Sequence, residues 1–134
     1  MSERHEGGCL CGALRIAAAA PPESICYCHC RLCQRSSGAP VLAWASFPAA
    51  SFRYLSGTPQ RYASSAHGER EFCGHCGTQL LFRSAHEPDL VDLNVGAMDQ
   101  PERYRPTHHI HCASAIAWLA EADTLPRYPG RRAD

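Results

Sequence analysis

Four cysteines and a histidine fall within one short stretch, Ile25-Cys26-Tyr27-Cys28-His29-Cys30-Arg31-Leu32-Cys33. Thiols at such density serve as a disulfide staple, a metal clamp or a nucleophile. The chain has nine cysteines in 134 residues. Eight fall in three clusters: Cys9 and Cys11; Cys26, Cys28, Cys30 and Cys33; Cys73 and Cys76. Cys112 stands apart. An odd total leaves one thiol unpaired in any intramolecular disulfide scheme, so disulfides are the weakest reading. Residues two apart on a strand share a face, which lets Cys9 and Cys11 reach one ion. Cys73-Gly74-His75-Cys76-Gly77 has the spacing of a zinc knuckle, with a glycine that lets the backbone fold tightly behind the second sulfur.

A closed tetrahedral site takes four ligands. The two outer clusters supply four, Cys9, Cys11, Cys73 and Cys76. Cys28, Cys30 and Cys33 would then form a second site with one position open to water or substrate, the arrangement of a catalytic zinc. Spacing leaves another partition open, in which Cys30 and Cys33 join Cys73 and Cys76 while Cys9 and Cys11 join Cys26 and Cys28. That partition closes both sites.

The elements that must position these thiols are short. Apolar, β-branched and aromatic runs recur between Gly, Pro and Ser punctuation and predict strands near 8–19, 23–30, 40–47, 51–55, 59–64, 69–73, 78–83, 89–95 and 107–112. Asp99 to Glu102 predicts a helical turn capped by Asp99, with Pro101 in its first turn. The segment 114–122 fits either a helix or a packed loop. The expected fold is β-dominated with two sheets, one domain over 1–134 and an ordered core of about 5–128.

Thirteen basic residues, all arginine, balance thirteen acidic ones. No excess positive field points to a nucleic-acid partner. There is no apolar run of membrane-spanning length and no hydrophobic signal segment at the start, so a soluble cytoplasmic protein is expected. Nothing in the sequence speaks to oligomeric state.

The order of motifs resembles the glutathione-dependent formaldehyde-activating enzyme family. The matching pieces are Gly7 to Gly12, Cys28 to Cys33, Phe72 to Thr78, Met98-Asp99-Gln100-Pro101, His109-Ile110, Ala117-Trp118 and Leu125 to Tyr128. The resemblance implies a β-tent-like fold, shared with methionine sulfoxide reductase B and Rab-exchange accessory proteins. It also implies two zinc ions: a structural one on Cys9, Cys11, Cys73 and Cys76, and a catalytic one on Cys28, Cys30 and Cys33. The implied activity is that of a carbon–sulfur lyase. Glutathione would be co-substrate, its thiolate on the open zinc position and its adduct S-hydroxymethylglutathione, so the implied partners are a small thiol and an aldehyde. Gln34 follows Cys33 where the family often has a basic residue, Met98 and Ala117 replace the usual Leu and Pro, and Cys26 and Cys112 lie outside the pattern.

Further residues have weighed roles. Arg31 and Arg35 are the cations nearest the middle cluster in sequence, and either offsets thiolate charge, grips a substrate carboxylate or is simply solvated. His109 matches a family position and suits a proton carrier or a contact behind the ligands, or else is a buried strand histidine. His29, by strand alternation, points away from Cys28 and Cys30. Cys26 shares their parity and either closes the second site or packs as a small apolar group. Trp44, Trp118, Tyr54 and Tyr62 are expected in the core or a pocket wall, and Ser64-Ser65 matches a family serine pair. Two other functions remain in view: a non-catalytic zinc module for protein partners, and a thiol redox enzyme using Cys112.

Overall fold

Side chains alternating between two faces account for most of the architecture. A computed structural model describes residues 4–132. Its strands are β1 (His5–Gly8), β2 (Arg15–Ala18), β3 (Ser24–Cys28), β4 (Leu42–Pro48), β5 (Phe52–Ser56), β6 (Gln60–Ala63), β7 (Gly68–Phe72), β8 (Gln79–Ser84), β9 (Leu90–Asn94) and β10 (His108–Ile110). One α-helix, α1 (Arg31–Ser37), follows β3. The strands form a three-stranded sheet in the order β1-β2-β5 and a seven-stranded sheet in the order β10-β3-β4-β9-β8-β7-β6. Neighbours pair antiparallel except β10, which runs parallel to β3 with His109 opposite Tyr27. The expected β-dominated, two-sheet fold is the fold of the chain.

On β4, Ala43, Ala45 and Phe47 face the main core while Leu42 and Trp44 belong to a second cluster. On β9, Val91 and Leu93 enter the same core. The main core thus lies between the small sheet, through Ile16 and Ala18, and one face of the large sheet. The opposite face of the large sheet carries the second cluster, Cys26, Cys28, Cys33, Leu42 and Trp44. The site is built on that face.

Four expectations are corrected. The single strand expected over 8–19 is two strands joined by a tight turn, because Gly12 adopts φ 82° and reverses the chain. Cys9 and Cys11 therefore sit in a turn and not on a strand face. The strand expected over 23–30 ends at Cys28; Cys30 caps α1, accepting a hydrogen bond from the Cys33 N–H at 3.2 Å, and Gly38 closes the helix in the left-handed region. Asp99 caps no helix: the turn Pro101–Arg103 is preceded by Gln100, and Asp99 instead takes both arms of the Arg15 guanidinium. Towards the C-terminus, 117–124 is a 3-10 helix that buries little, and Trp118 is 61% exposed, outside any core.

Candidate metal centres and the cavity beside them

Two turns bring the outer cysteines together. The β1–β2 turn holds Cys9 and Cys11, and the β7–β8 connection holds Cys73 and Cys76. Gly77, at φ 80°, folds behind Cys76 so that its N–H donates to the Cys73 carbonyl at 2.8 Å. Cys73 Sγ accepts from the N–H groups of His75 and Cys76, and Cys9 Sγ accepts from the N–H of Leu14 at 3.2 Å. For Cys9, burial opposes the thiolate, but the Leu14 N–H and the neighbouring thiols outweigh it and bring the group below its ordinary value. The thiol of Cys76 is brought down to about 5, chiefly by its hydrogen bond with Thr78. Thr78 Oγ1 also accepts from the Leu10 N–H, tying the two turns to each other.

The second group comes from one segment. Cys28 ends β3, Cys30 is the helix cap and Cys33 lies in the first turn of α1. Cys33 is lowered to about 5, first by its hydrogen bond with Cys28, with further help from Cys30 and the Arg70 charge; Cys28 is pushed up in return. The sulfurs within each group lie within 4.8 Å of one another. Four ligands at the zinc–sulfur distance place sulfurs about 3.8 Å apart on a tetrahedron edge. The separations here are 3.6 Å for Cys9–Cys11, 3.8 Å for Cys11–Cys73 and 3.4 Å for Cys28–Cys33. Both groups thus have the donor type and spacing that fit zinc. The geometry also selects between the two partitions, grouping Cys9, Cys11, Cys73 and Cys76 apart from Cys28, Cys30 and Cys33. Cys26 lines the same side as Cys28, is buried, and stays outside the three-sulfur group. All nine cysteines are free of disulfides.

The three-sulfur group opens on a cavity of about 350 Å³ on the outer face of the large sheet. Strand parity fills its wall: Ser24 and Cys26 from β3, Trp44 and Ser46 from β4, Leu90 and Asp92 from β9, Phe82 from β8 and Arg70 from β7. His108, Ile110 and His111 form the side beyond β3. Arg70 is 4% exposed and was not visible as a site residue in the sequence. Its Nη2 lies 3.7 Å from Cys33 Sγ, its Nε donates to Ser64 Oγ at 3.1 Å, and its guanidinium lies 4.9 Å from the centre of the Phe82 ring. Asp92 accepts from the Ser46 hydroxyl, yet burial keeps its carboxyl above the usual range, reinforced by Glu87 and Cys33. Strand alternation alone gave no signal for Arg70 and Asp92: each is at the parity of the outer face, opposite Glu71 on β7 and opposite the core residues Val91 and Leu93 on β9.

The expected auxiliary residues take other places. Arg31 is exposed and donates to Gln34 Oε1, and Gln34, itself buried, holds the carbonyls of His29 and Ser114. Arg35 is exposed on α1 and lines a neighbouring groove rather than the cavity. His109 is on the face of β10 opposite His108 and Ile110, stacks on Tyr27 at 5.1 Å, and shares a 2.8 Å hydrogen bond with His29 Nε2. The structure thus brings His108 and His111 to the cavity wall and leaves His109 behind it. His29 is buried, its Nδ1 has no partner among the described residues, and burial with the adjacent His109 lowers its basicity. Tyr54 donates to Glu71, Tyr62 is 65% exposed, and Cys112 is exposed in a 3-10 turn after β10. No helix among the described residues is long and apolar enough to cross a membrane.

An uncharacterized lyase of Schizosaccharomyces pombe is 36% identical over 93 residues, 68% of this chain and 66% of that protein. A putative glutathione-dependent formaldehyde-activating enzyme of Halomonas elongata is 28% identical over 114 residues, 79% of this chain and 72% of that protein. A crystal structure of a Rhodobacter sphaeroides protein superposes with a TM-score of 0.63 at 21% identity, covering 78% of this chain and 98% of that one. That likeness concerns the fold. The family model described as glutathione-dependent formaldehyde-activating enzyme matches residues 4–114, and the chain belongs to that family.

Proposed function

We propose that this protein is a zinc-dependent carbon–sulfur lyase that makes or breaks the adduct of a small thiol with an aldehyde, S-hydroxymethylglutathione being the type of substrate. The observation that carries the reading is the contrast between the two thiol groups: four sulfurs close one, whereas three sulfurs face a cavity of about 350 Å³. Zinc held by Cys28, Cys30 and Cys33 would supply an open position that keeps an incoming thiol deprotonated near neutral pH. Cys9, Cys11, Cys73 and Cys76 would hold a purely structural ion.

The residues around the cavity divide the remaining work. The buried guanidinium of Arg70 offsets the negative charge that accumulates when thiolates gather, and its contact with Cys33 fixes where that charge sits. Trp44, Phe82 and Leu90 exclude water from the reacting carbon. In the synthetic direction the thiolate sulfur shares an electron pair with the aldehyde carbon, and the carbonyl oxygen becomes an alkoxide that needs a proton. Asp92 is suited to give it, because burial raises its affinity for a proton. In the lytic direction the same carboxylate takes the hydroxyl proton, the carbonyl re-forms and the carbon–sulfur pair leaves with sulfur. His108 and His111 are placed to exchange that proton with solvent. His109, behind the wall, is assigned to orienting His29 rather than to meeting substrate.

Zinc content per chain, followed by X-ray absorption of the metal with and without glutathione, tests this reading. Two zinc ions per chain, with one light-atom ligand replaced by sulfur on adding the thiol, is the expected result. One ion, or two already saturated with sulfur and indifferent to thiol, would sink the lyase reading in favour of a non-catalytic zinc module.

A further inference from the structure

The chain beyond β10 carries apolar side chains that the rest of the molecule does not cover. Among residues 111–132 none is buried, and only Ser114, Ile116 and Leu119 are even partly so. Residues 117–124 form a 3-10 helix of eight residues, a geometry that rarely runs beyond three or four because its hydrogen bonds are poor. Three residues to the turn put Ile116 and Leu119 on one side and Trp118, Glu121 and Thr124 on another. The first side is partly buried and the second is bare. Trp118 is 61% exposed there. Asp123 is taken by Arg127 at 3.2 Å, whereas the Glu121 carboxylate has no partner among the described residues.

A surface of matching character lies elsewhere. A groove of about 590 Å³ runs between α1 and the outer face of β6 and β7, and no acidic residue is among those that line it. Leu32 and Tyr62, 46% and 65% exposed, give it apolar walls. Arg35 lines it too, and its guanidinium has no ion-pair or hydrogen-bond partner among the described residues. An indole suits the apolar walls, and a carboxylate suits the guanidinium fork, which takes it in two parallel hydrogen bonds. From 113 to 126 the chain has two acids and no base, so its charge opposes that of the groove.

The helix is badly placed to fill the groove of its own chain. Leu32, Arg35 and Ser36 share the groove side of α1 by the i, i+3, i+4 rule, whereas Gln34 leaves from another side and holds the Ser114 carbonyl at 3.1 Å. The root of the segment is thus fixed across α1 from the groove, with the thickness of a helix, about 10 Å, between them. The segment also leaves from the β10 edge of the large sheet, and the groove opens toward β6 at the other end of the strand order. A second copy meets neither obstacle. A twofold axis makes the exchange reciprocal and closes the assembly at two. Each contact would cover two aromatic rings at about 150–250 Å² apiece, besides Leu32 and the charged stems. The two contacts together come to on the order of 1,200 Å², where stable specific interfaces begin.

We infer that the protein is a twofold dimer in which the 117–124 helix of each protomer seats in the groove beside α1 of the other, with Trp118 against Leu32 and Tyr62 and Glu121 on Arg35. Leu32 and Arg70 line both the groove and the cavity, so the seated helix of one protomer borders the three-cysteine group of its partner. The inference stands on its own, whether or not the thiols perform lyase chemistry.

Sedimentation equilibrium of the zinc-loaded full chain, from low to high micromolar concentration, tests it. The mass should approach twice that of the chain. Trp118→Ala should weaken the association at least roughly tenfold. Glu121→Arg alone and Arg35→Glu alone should each weaken it as well, because each sets like charges together. All three positions are exposed, and circular dichroism checks that the variants stay folded. An equimolar mixture of the Glu121→Arg and Arg35→Glu proteins should regain wild-type association, since both contacts of the mixed dimer then pair opposite charges. A wild type that is monomeric at every concentration, or a dimer untouched by Trp118→Ala, would overturn the inference. So would a mixture that stays monomeric while one chain carrying both reversals behaves as wild type, which would assign the helix to the groove of its own chain.

Discussion

Arg70 illustrates how a single side chain joins the three-cysteine group to the fold. A buried arginine is costly unless its donors are occupied, and here Ser64, Gln79, Cys33 and the face of Phe82 share the task. Arg70→Gln keeps a hydrogen-bonding amide and loses the charge beside Cys33. It should lower kcat/KM by roughly 10- to 100-fold while zinc content stays at the wild-type value, the behaviour of a group that tunes metal ligands without being one. Metal analysis and steady-state kinetics on the same preparation check this. At the surface the scale of effect is different. Asp99 receives both arms of Arg15, and that bond first, with the Arg15 charge, lowers its carboxyl below the usual range. A carboxylate depressed in the folded state contributes stability that is present above its unfolded value of about 3.9 and disappears as pH falls through its folded value. Asp99 is 48% exposed, so the contribution is limited to about 1 kcal/mol. Asp99→Asn should therefore melt slightly below wild type at pH 7, and the two denaturation curves should converge as the pH is taken below the folded value.

The elements show how parity distributes such residues. β7 carries Arg70 toward the cavity and Glu71 toward the opposite face, with Glu71 fully buried and held by Tyr54, Arg83 and Arg61. The cluster is asymmetric. Glu71→Gln removes the buried charge and leaves an amide, at a cost of about 1–2 kcal/mol. Arg83→Met keeps the packing stem but strips the carboxylate of its nearest cation, at a cost of roughly 3 kcal/mol or more. Urea denaturation of both variants should show the arginine replacement as the more damaging. The same alternation explains what was legible beforehand. Strands from 40 to 95 were found to within one or two residues, because each has apolar side chains on one face and turn residues at its ends. The helix α1 was missed because Cys30 and Cys33 already made sense as a knuckle; Arg31-Leu32-Cys33-Gln34-Arg35 followed by Gly38 is a helix with a glycine stop once that spacing is set aside. The grouping of the cysteines into a set of four and a set of three was legible from spacing and family resemblance together. Arg70, Asp92 and the groove were not, since they come from strands far apart in sequence that only the sheet order makes neighbours.

At the scale of the whole molecule, the four-cysteine group does what no strand pairing does. The small sheet meets the large one through packing of Ile16 and Ala18 and through the Tyr54–Glu71 hydrogen bond from β5 to β7, with no paired strands between them among the described residues. The β1–β2 turn is held to the β7–β8 turn by sulfur contacts spanning 62 positions, from Cys11 to Cys73, and by the Leu10–Thr78 hydrogen bond. A metal held there would close a long loop and tie the two sheets at one end, so its binding energy would become folding energy. Cys11 is the thiol with which to measure this. Cys73 is 1% exposed, so replacing it would also disturb the core, whereas Cys11 is exposed and gives up almost no packing. Cys11→Ser should lower the melting temperature by on the order of 10 °C or more in the zinc-loaded protein. After treatment with a strong chelator, wild type and variant should melt together, because the thiol then contributes little beyond a serine. A deficit that persisted without metal would mean that Cys11 stabilises the turn by packing or hydrogen bonding alone, and the tie between the sheets would have to be sought in the Leu10–Thr78 contact.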